Sequence, residues 1–286
     1  MPPQAYFVVS AVFHYLGPAF AVLLFERVQP LGVAWLRITS AAVLLSIWRR
    51  PWRAMRDSDR RTLLAWGAVL ALMNCCFYLA IDRLPLGSVA AIEFLPVIAL
   101  AAVGARTQRN VVALSLAVAG VAMLSQVELQ GEPLGLALAF ANAGLFALYI
   151  VLGHRVAGAS GIDGLAASMI IAALVVTPAT GWAAAPAFDD PTAIAAGIGV
   201  GICSSVVPYV ADQLAMAKLT RAGYALMVAL LPATATVIGL LVLQQEPTPA
   251  ELTGVSLVIC GVGLRREPPV ALEAPLRQPV GEPADA

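Results

Sequence analysis

Charge is scarce in this chain: only 12% of its residues are Asp, Glu, Lys or Arg, and lysine occurs once, at Lys218. With one lysine there is no Gly-Lys-Ser/Thr phosphate loop and so no built-in ATPase. Neither His-Glu-x-x-His nor Gly-x-Ser-x-Gly occurs, which removes the familiar zinc-protease and serine-hydrolase readings. Cysteine is also rare. Cys75, Cys76, Cys203 and Cys260 lie inside apolar runs without metal-ligand or disulfide spacing, so they read as small packing residues, and neither a metal nor a cofactor is expected. A net charge of zero gives no reason to expect nucleic acid as a partner.

Apolar residues are what the chain has in excess. Sixty per cent are hydrophobic and the mean hydropathy is +0.85, which excludes disordered, fibrous and ordinary globular classes and leaves an integral membrane protein with the lipid bilayer as its solvent. Runs of about 20 apolar residues suit helices crossing a 30 Å hydrocarbon core. Ten are expected: 5–25, 31–48, 63–81, 86–104, 111–127, 134–152, 165–182, 193–214, 222–243 and 252–264. Met1-Pro2-Pro3-Gln4 lacks the basic region of a secretory signal, so the first run reads as a retained span. Residues 267–286, rich in proline and without hydrophobic period, read as a disordered cytoplasmic tail.

Basic loops stay on the cytoplasmic side. With the N-terminus inside, the inner loops hold Arg49, Arg50, Arg53, Arg56, Arg60, Arg61, Arg106, Arg109, Arg155, Lys218, Arg221, Arg265 and Arg266, and the outer loops only Arg27 and Arg83. Both termini are therefore expected in the cytoplasm. The two halves also repeat: Leu79–Leu84 aligns with Leu214–Leu219, and Glu93-Phe94-Leu95-Pro96 with Ala229-Leu230-Leu231-Pro232. Five spans per half is an odd number, so the repeats must be inverted. The expected fold is an all-α integral membrane protein of ten transmembrane helices as two inverted five-helix repeats, residues 1–127 and 128–266. Helix breaks at Pro96, Pro208 and Pro232 fall where secondary transporters place their sites.

The polar residues inside the spans are the candidate site. Glu93 is the only charge between Leu86 and Gly104, and a carboxylate at the centre of a lipid-spanning helix costs about 2.5–3.5 kcal/mol on the mildest scale, so it faces a cavity, a partner charge or a transport path. Arg37, Asn74 and Glu93 all fall roughly 9–11 Å below the outer ends of their spans and could meet. Arg37 beside Glu93 would hold the carboxylate ionised, whereas Glu93 on its own could carry a proton; the bland alternative is an Arg37 that snorkels to the outer headgroups. His14, mid-span, reads equally as a proton relay and as a packing residue.

Tyr78 lies one turn after Asn74, and Tyr209 is the repeat mate of Asn74; Pro208 beside it frees a backbone carbonyl. Asp212, about two turns from the cytoplasmic end, reads equally as a gate or anchor and as a coupling carboxylate, ranking below Glu93. Asn142 and Tyr149 are cavity-lining candidates, although Ala141, Ala143 and Gly144 around them read as packing, as does the run Gly197-Ile198-Gly199-Val200-Gly201. Such patches suit a homodimer without requiring one.

Leu36-Arg37, Asn74 with Phe77-Tyr78-Leu79, Pro85-Leu86-Gly87 followed by Ala91-Ile92-Glu93-Phe94, Ala147-Leu148-Tyr149-Ile150 and Val207-Pro208-Tyr209 together resemble the ten-span EamA-type branch of the drug/metabolite transporter superfamily, and within it the bacterial threonine/homoserine exporters. The resemblance implies export of small amphiphilic metabolites across the bacterial inner membrane, driven by the proton gradient, from a cavity between the repeats. It departs in two places: Leu231 stands before Pro232 where these exporters carry an acid, and Gln245 precedes Glu246 where a glycine is usual.

The expected function is thus secondary active export of a small amino-acid-like metabolite, without enzymatic activity. Glu93 serves as coupling or ammonium-binding carboxylate, Arg37 tunes it or holds a substrate carboxylate, and Asn74, Tyr78 and Tyr209 supply hydrogen bonds. The alternatives are efflux of a larger apolar compound, which the missing acid at Leu231 would suit, and a non-transporting scaffold or membrane enzyme.

Overall fold

A computed structural model of the protein describes residues 3–96 except 88, 91 and 94, residues 107–126, and residues 132–264 except 229 and 245. Every regular element among them is a helix. In chain order these are α1 (Pro3–Leu24), α2 (Pro30–Trp48), α3 (Pro51–Asp57), α4 (Arg60–Ile81), α5 (Gln108–Gln126), α6 (Pro133–Ala159) and α7 (Gly161–Thr180). A 3-10 helix (Gly181–Asp189), α8 (Pro191–Gly201), a π turn (Ile202–Val206), α9 (Val207–Met216), α10 (Arg221–Met227), α11 (Leu230–Leu243) and α12 (Pro249–Leu264) follow. Between α4 and α5, residues 86–96 are helical wherever described.

The helix starts are written in the sequence. Proline opens α2, α3, α6 and α8, where its missing N–H would have had no partner and its φ is already helical. Asp59 caps α4, accepting from the Arg61 N–H at 3.0 Å and the Thr62 hydroxyl at 2.6 Å. Gly161, at φ +55°, makes the left-handed step that ends α6 and starts α7.

Among the described residues, six helices are long and apolar enough to cross a membrane: Ala5–Leu24, Pro30–Trp48, Arg60–Ile81, Pro133–Ala159, Gly161–Asp189 and Pro191–Met216. They match the first, second, third, sixth, seventh and eighth expected spans. Ile47, Leu174, Trp182 and Leu241 point outward, an apolar exterior suited to lipid. Inside, α1 packs on α9, the π turn and α11; α4 packs on α6 and α7; α2 packs on α7 and α8; and α5 packs on α12. The α5–α12 contact is backbone to backbone: a Cβ on Gly120 would lie 2.5 Å from the Gly254 carbonyl oxygen, and one on Gly261 would lie 2.6 Å from that of Ala113. Gly197 and Gly201 likewise admit Leu36 and Ser40 of α2, as close packing requires, while Gly199 faces open space.

Ion pairs at the ends join loops expected on the same side. Arg27 meets Asp190 at 3.0 Å and Arg83 meets Glu132 at 3.6 Å, on the side expected outside, while Arg49 meets Asp163 at 2.7 Å on the other.

Two local expectations change. The ninth run is two helices, α10 and α11, and Pro232 sits in the first turn of α11, where proline is tolerated, so the interruption precedes it. Residues 86–96 are helical wherever described; residues 97–104, and with them any break beyond Pro96, lie outside the described residues. Cys260 is exposed rather than packed inside. Arg106, Gln245, Arg265, Arg266 and the tail 267–286 also lie outside the described residues.

Candidate functional site

The geometry starts at Pro208. In an α-helix the Ser204 carbonyl would accept the N–H four residues on, but Pro208 has none. The chain answers with a π turn over Ile202–Val206, closed by Val207 N–H to the Ile202 carbonyl, and the Ser204 carbonyl receives the guanidinium of Arg37 instead, from Nη2. Arg37 Nε donates to Ser205 Oγ at 2.8 Å and Nη2 also reaches the Tyr209 hydroxyl at 3.2 Å. The rings of Tyr78 and Tyr209 lie 5.5 and 5.7 Å from the guanidinium carbon. Arg37 is only 3% exposed, so it does not snorkel, and it takes part in none of the salt bridges among the described residues.

Glu93 is buried on the other side of the same space. Its carboxylate accepts from the Tyr15 hydroxyl at 3.1 Å and from Asn142 Nδ2 at 2.9 Å. Asn74, on α4, donates through Nδ2 to the Leu70 carbonyl at 2.7 Å and to the Tyr209 hydroxyl at 3.3 Å. Because both amide nitrogens are aimed at acceptors, the oxygens Asn74 Oδ1 and Asn142 Oδ1 are left over. These two atoms and His14 Nδ1 are buried and have no hydrogen-bond partner among the described residues, and neither does the Tyr78 hydroxyl.

These groups meet around one central cavity, lined by His14, Arg37, Met73, Asn74, Phe77, Glu93, Asn142 and Tyr209. Its free space is about 10 Å³, room for roughly one water. A solute the size of an amino acid therefore enters only when the helices part. The walls can do three things chemically. Glu93 can hold a cation, Arg37 can hold an anion, and the leftover amide and imidazole acceptors can take hydrogen bonds from an ammonium or hydroxyl.

Of the residues singled out in the sequence, Glu93, Arg37, Asn74, Tyr209 and His14 line the cavity, and Tyr78 lies directly behind Arg37. Asp212 is elsewhere and is not near solvent: it is fully buried, bound by the hydroxyls of Ser10 and Tyr149, the latter at 2.8 Å. Pro208 shapes the site through the Ser204 carbonyl. Leu231 is buried away from the cavity walls, so the position where an acid is expected does not face this space. Tyr15 and Ser10 were not singled out in the sequence, and Asn142 only as a cavity-lining candidate. The signal available was three hydrogen-bonding side chains, Ser10, His14 and Tyr15, within two turns of one transmembrane helix.

Buried charges of both signs around a central cavity in a multi-pass helical membrane protein suit a transporter, and the comparisons with known proteins point the same way. Residues 133–265 match the EamA-like transporter family. The threonine/homoserine exporter RhtA of Escherichia coli (strain K12) is 32% identical over 251 residues, covering 85% of this chain and 84% of that protein. The protein of the same name from Salmonella typhimurium (strain SL1344) is 29% identical over 267 residues, 89% of each chain. A solved crystal structure of a protein 14% identical superposes with a TM-score of 0.67 over 91% of this chain and 96% of that one, a likeness of fold alone. The chain belongs to the EamA-like transporter family.

Proposed function

We propose that this protein is a secondary active transporter of the cytoplasmic membrane, with both termini inside, that exports a small amino-acid-like solute of the threonine/homoserine kind in exchange for protons. The observation that carries the reading is the cavity with a carboxylate, Glu93, and a guanidinium, Arg37, both lining it, and with acceptors left free on His14, Asn74 and Asn142. An α-amino acid carries the complementary charges. Its ammonium goes to Glu93 and the free acceptors, its carboxylate to Arg37. The similarity to RhtA, an exporter of threonine and homoserine by name, points to the same solutes. Close-set polar walls favour a small polar solute over a large apolar one.

Alternating access comes from rocking two inverted halves, residues 1–127 and 128–266, against each other. Support for the inverted repeat lies in exchanged packing: the first span packs on the eighth as the sixth packs on the third, the fifth packs on the tenth, and the repeat mates Asn74 and Tyr209 touch at 3.3 Å.

The test is efflux of labelled threonine and homoserine from preloaded proteoliposomes, with and without an imposed proton gradient, for the wild type and Glu93→Gln. Gradient-stimulated efflux that the substitution abolishes supports the proposal. Folded wild-type protein that moves neither amino acid refutes the substrate.

A further inference from the structure

We propose that Asp212 is a proton-binding site separate from the substrate cavity and linked to it through α1. This rests on the export reading above and divides its labour: Glu93 takes the substrate ammonium, Asp212 takes the proton.

Asp212 is fully buried, yet it is not part of the cavity wall. One carboxyl oxygen, Oδ1, accepts from the Ser10 hydroxyl of α1, and Oδ2 accepts from the Tyr149 hydroxyl of α6 at 2.8 Å. Tyr224 of α10 faces the same carboxyl, and Tyr209 is the nearest titratable group on its own helix. Among the described residues, Asp212 forms no ion pair with a Lys, Arg or His side chain. Arg37 of α2 is held by Ser204, Ser205 and Tyr209. Arg49 pairs with Asp163 of α7, and Lys218 lies over the Tyr6 ring at 5.0 Å. His14 of α1 stands in the cavity, and His154 of α6 packs edge-on against the Tyr224 ring.

The chemistry of these partners is the point. An arginine or lysine partner can only donate, and so favours one state, the carboxylate. Serine and tyrosine hydroxyls donate to a carboxylate and, after a rotation about the C–O bond, accept from a carboxylic acid. The site can therefore be satisfied with and without the proton, as a site that is loaded and emptied in each cycle requires. Binding the proton turns one hydroxyl from donor to acceptor, and Ser10 is on the helix that also carries Tyr15, the partner of Glu93 at 3.1 Å. Five residues separate Ser10 from Tyr15, about 7.5 Å along the axis. α1 thus holds one carboxylate inside the cavity and one outside it, and a change at either is felt by the other.

Two measurements test this. The first needs no substrate: infrared difference spectra of purified protein between acid and alkaline pH, for the wild type, Asp212→Asn and Glu93→Gln. The proposal expects Asp212→Asn to remove a carboxylic-acid C=O band from the difference spectrum; an unchanged spectrum overturns it whatever the transported solute. The second compares substrate counterflow, which needs no net proton movement, with gradient-driven efflux. Asp212→Asn should keep counterflow and lose the gradient-driven component. If gradient-driven efflux persists, or counterflow is lost with it in folded protein, Asp212 is not the proton site. Ser10→Ala keeps the carboxyl and guards against a fold-disrupting Asp212→Asn: it should shift the pH dependence of gradient-driven efflux, and an unshifted profile counts against the proposal. Absence of counterflow in the wild type refutes the substrate reading and leaves the infrared result to decide on Asp212.

Discussion

Gly17→Ala tests whether the site depends on the close approach of α1 to the π turn. The added Cβ would lie 2.0 Å from Ser204 Oγ, 2.8 Å from the Ser204 nitrogen and 2.9 Å from Ser204 Cβ. The first clash is cheap to relieve, since Ser204 Oγ has no hydrogen-bond partner to lose and can rotate. The second is not. Bringing a 2.8 Å contact with backbone to an ordinary 3.4 Å requires α1 and the π turn to part by about 0.6 Å. Overpacking of this kind costs about 1–3 kcal/mol. The movement is also at the worst place for function, because Ser204 carries the carbonyl that holds Arg37 while α1 carries Ser10 and Tyr15. The expected result is a lower melting temperature of the purified protein and reduced flux in proteoliposomes. Gly144→Ala is the control: a Cβ there meets nothing within 4 Å, so it should be neutral or slightly stabilising. Equal melting temperatures and fluxes for Gly17→Ala and the wild type would refute the packing argument.

Arg37→Lys keeps the charge but cannot reach Ser205, the Ser204 carbonyl and Tyr209 with one planar fork. Leaving a buried carbonyl unpaired costs about 1–3 kcal/mol, so thermal melting should fall and transport should not be rescued. Tyr15→Phe removes one hydrogen bond to Glu93; bonds to a charged group are worth about 1.5–3 kcal/mol, and initial-rate efflux should show a KM raised about 10-fold or more. At the N-terminal end of α8, the Asp190 carboxyl is depressed from 3.8 to about 2, first by the Thr192 hydroxyl, then by the Thr192 N–H, with Ala193 and Arg27 adding to it. A depressed carboxyl stabilises the fold above its unfolded value and loses that contribution as pH falls through about 2. Asp190→Asn should therefore flatten this part of the acid-unfolding profile followed by circular dichroism.

How much of this was legible in the sequence depends on how local the cause was. The spans 5–25, 31–48, 63–81, 134–152, 165–182 and 193–214 were readable because apolar length, proline starts and charged loops are local. The consequence of Pro208 was readable for the same reason: a missing N–H must free one carbonyl. Distance from the helix ends suggested that Arg37, Asn74 and Glu93 could meet, and the three line one cavity. Azimuth was not readable. Which partner Arg37 takes is set by how α2 rotates against α9, and it faces Ser204 and Ser205 while Glu93 turns to Tyr15 and Asn142. Distance from a helix end also misjudged Asp212, because α1, α6 and α10 cover it. Pro232 was read as the break itself, but a first-turn proline marks where a helix restarts.

The central claim is that one solute bridges Glu93 and Arg37, and ligand-induced thermal stabilisation of the purified protein tests it most directly. A ligand at about 100 times its Kd stabilises by roughly 2.7 kcal/mol. The account predicts that threonine raises the melting temperature of the wild type and that threoninol, which lacks the carboxylate, does so far less. It also predicts that Glu93→Gln abolishes the threonine effect. Equal protection by threonine and threoninol, or full protection of Glu93→Gln, would contradict it.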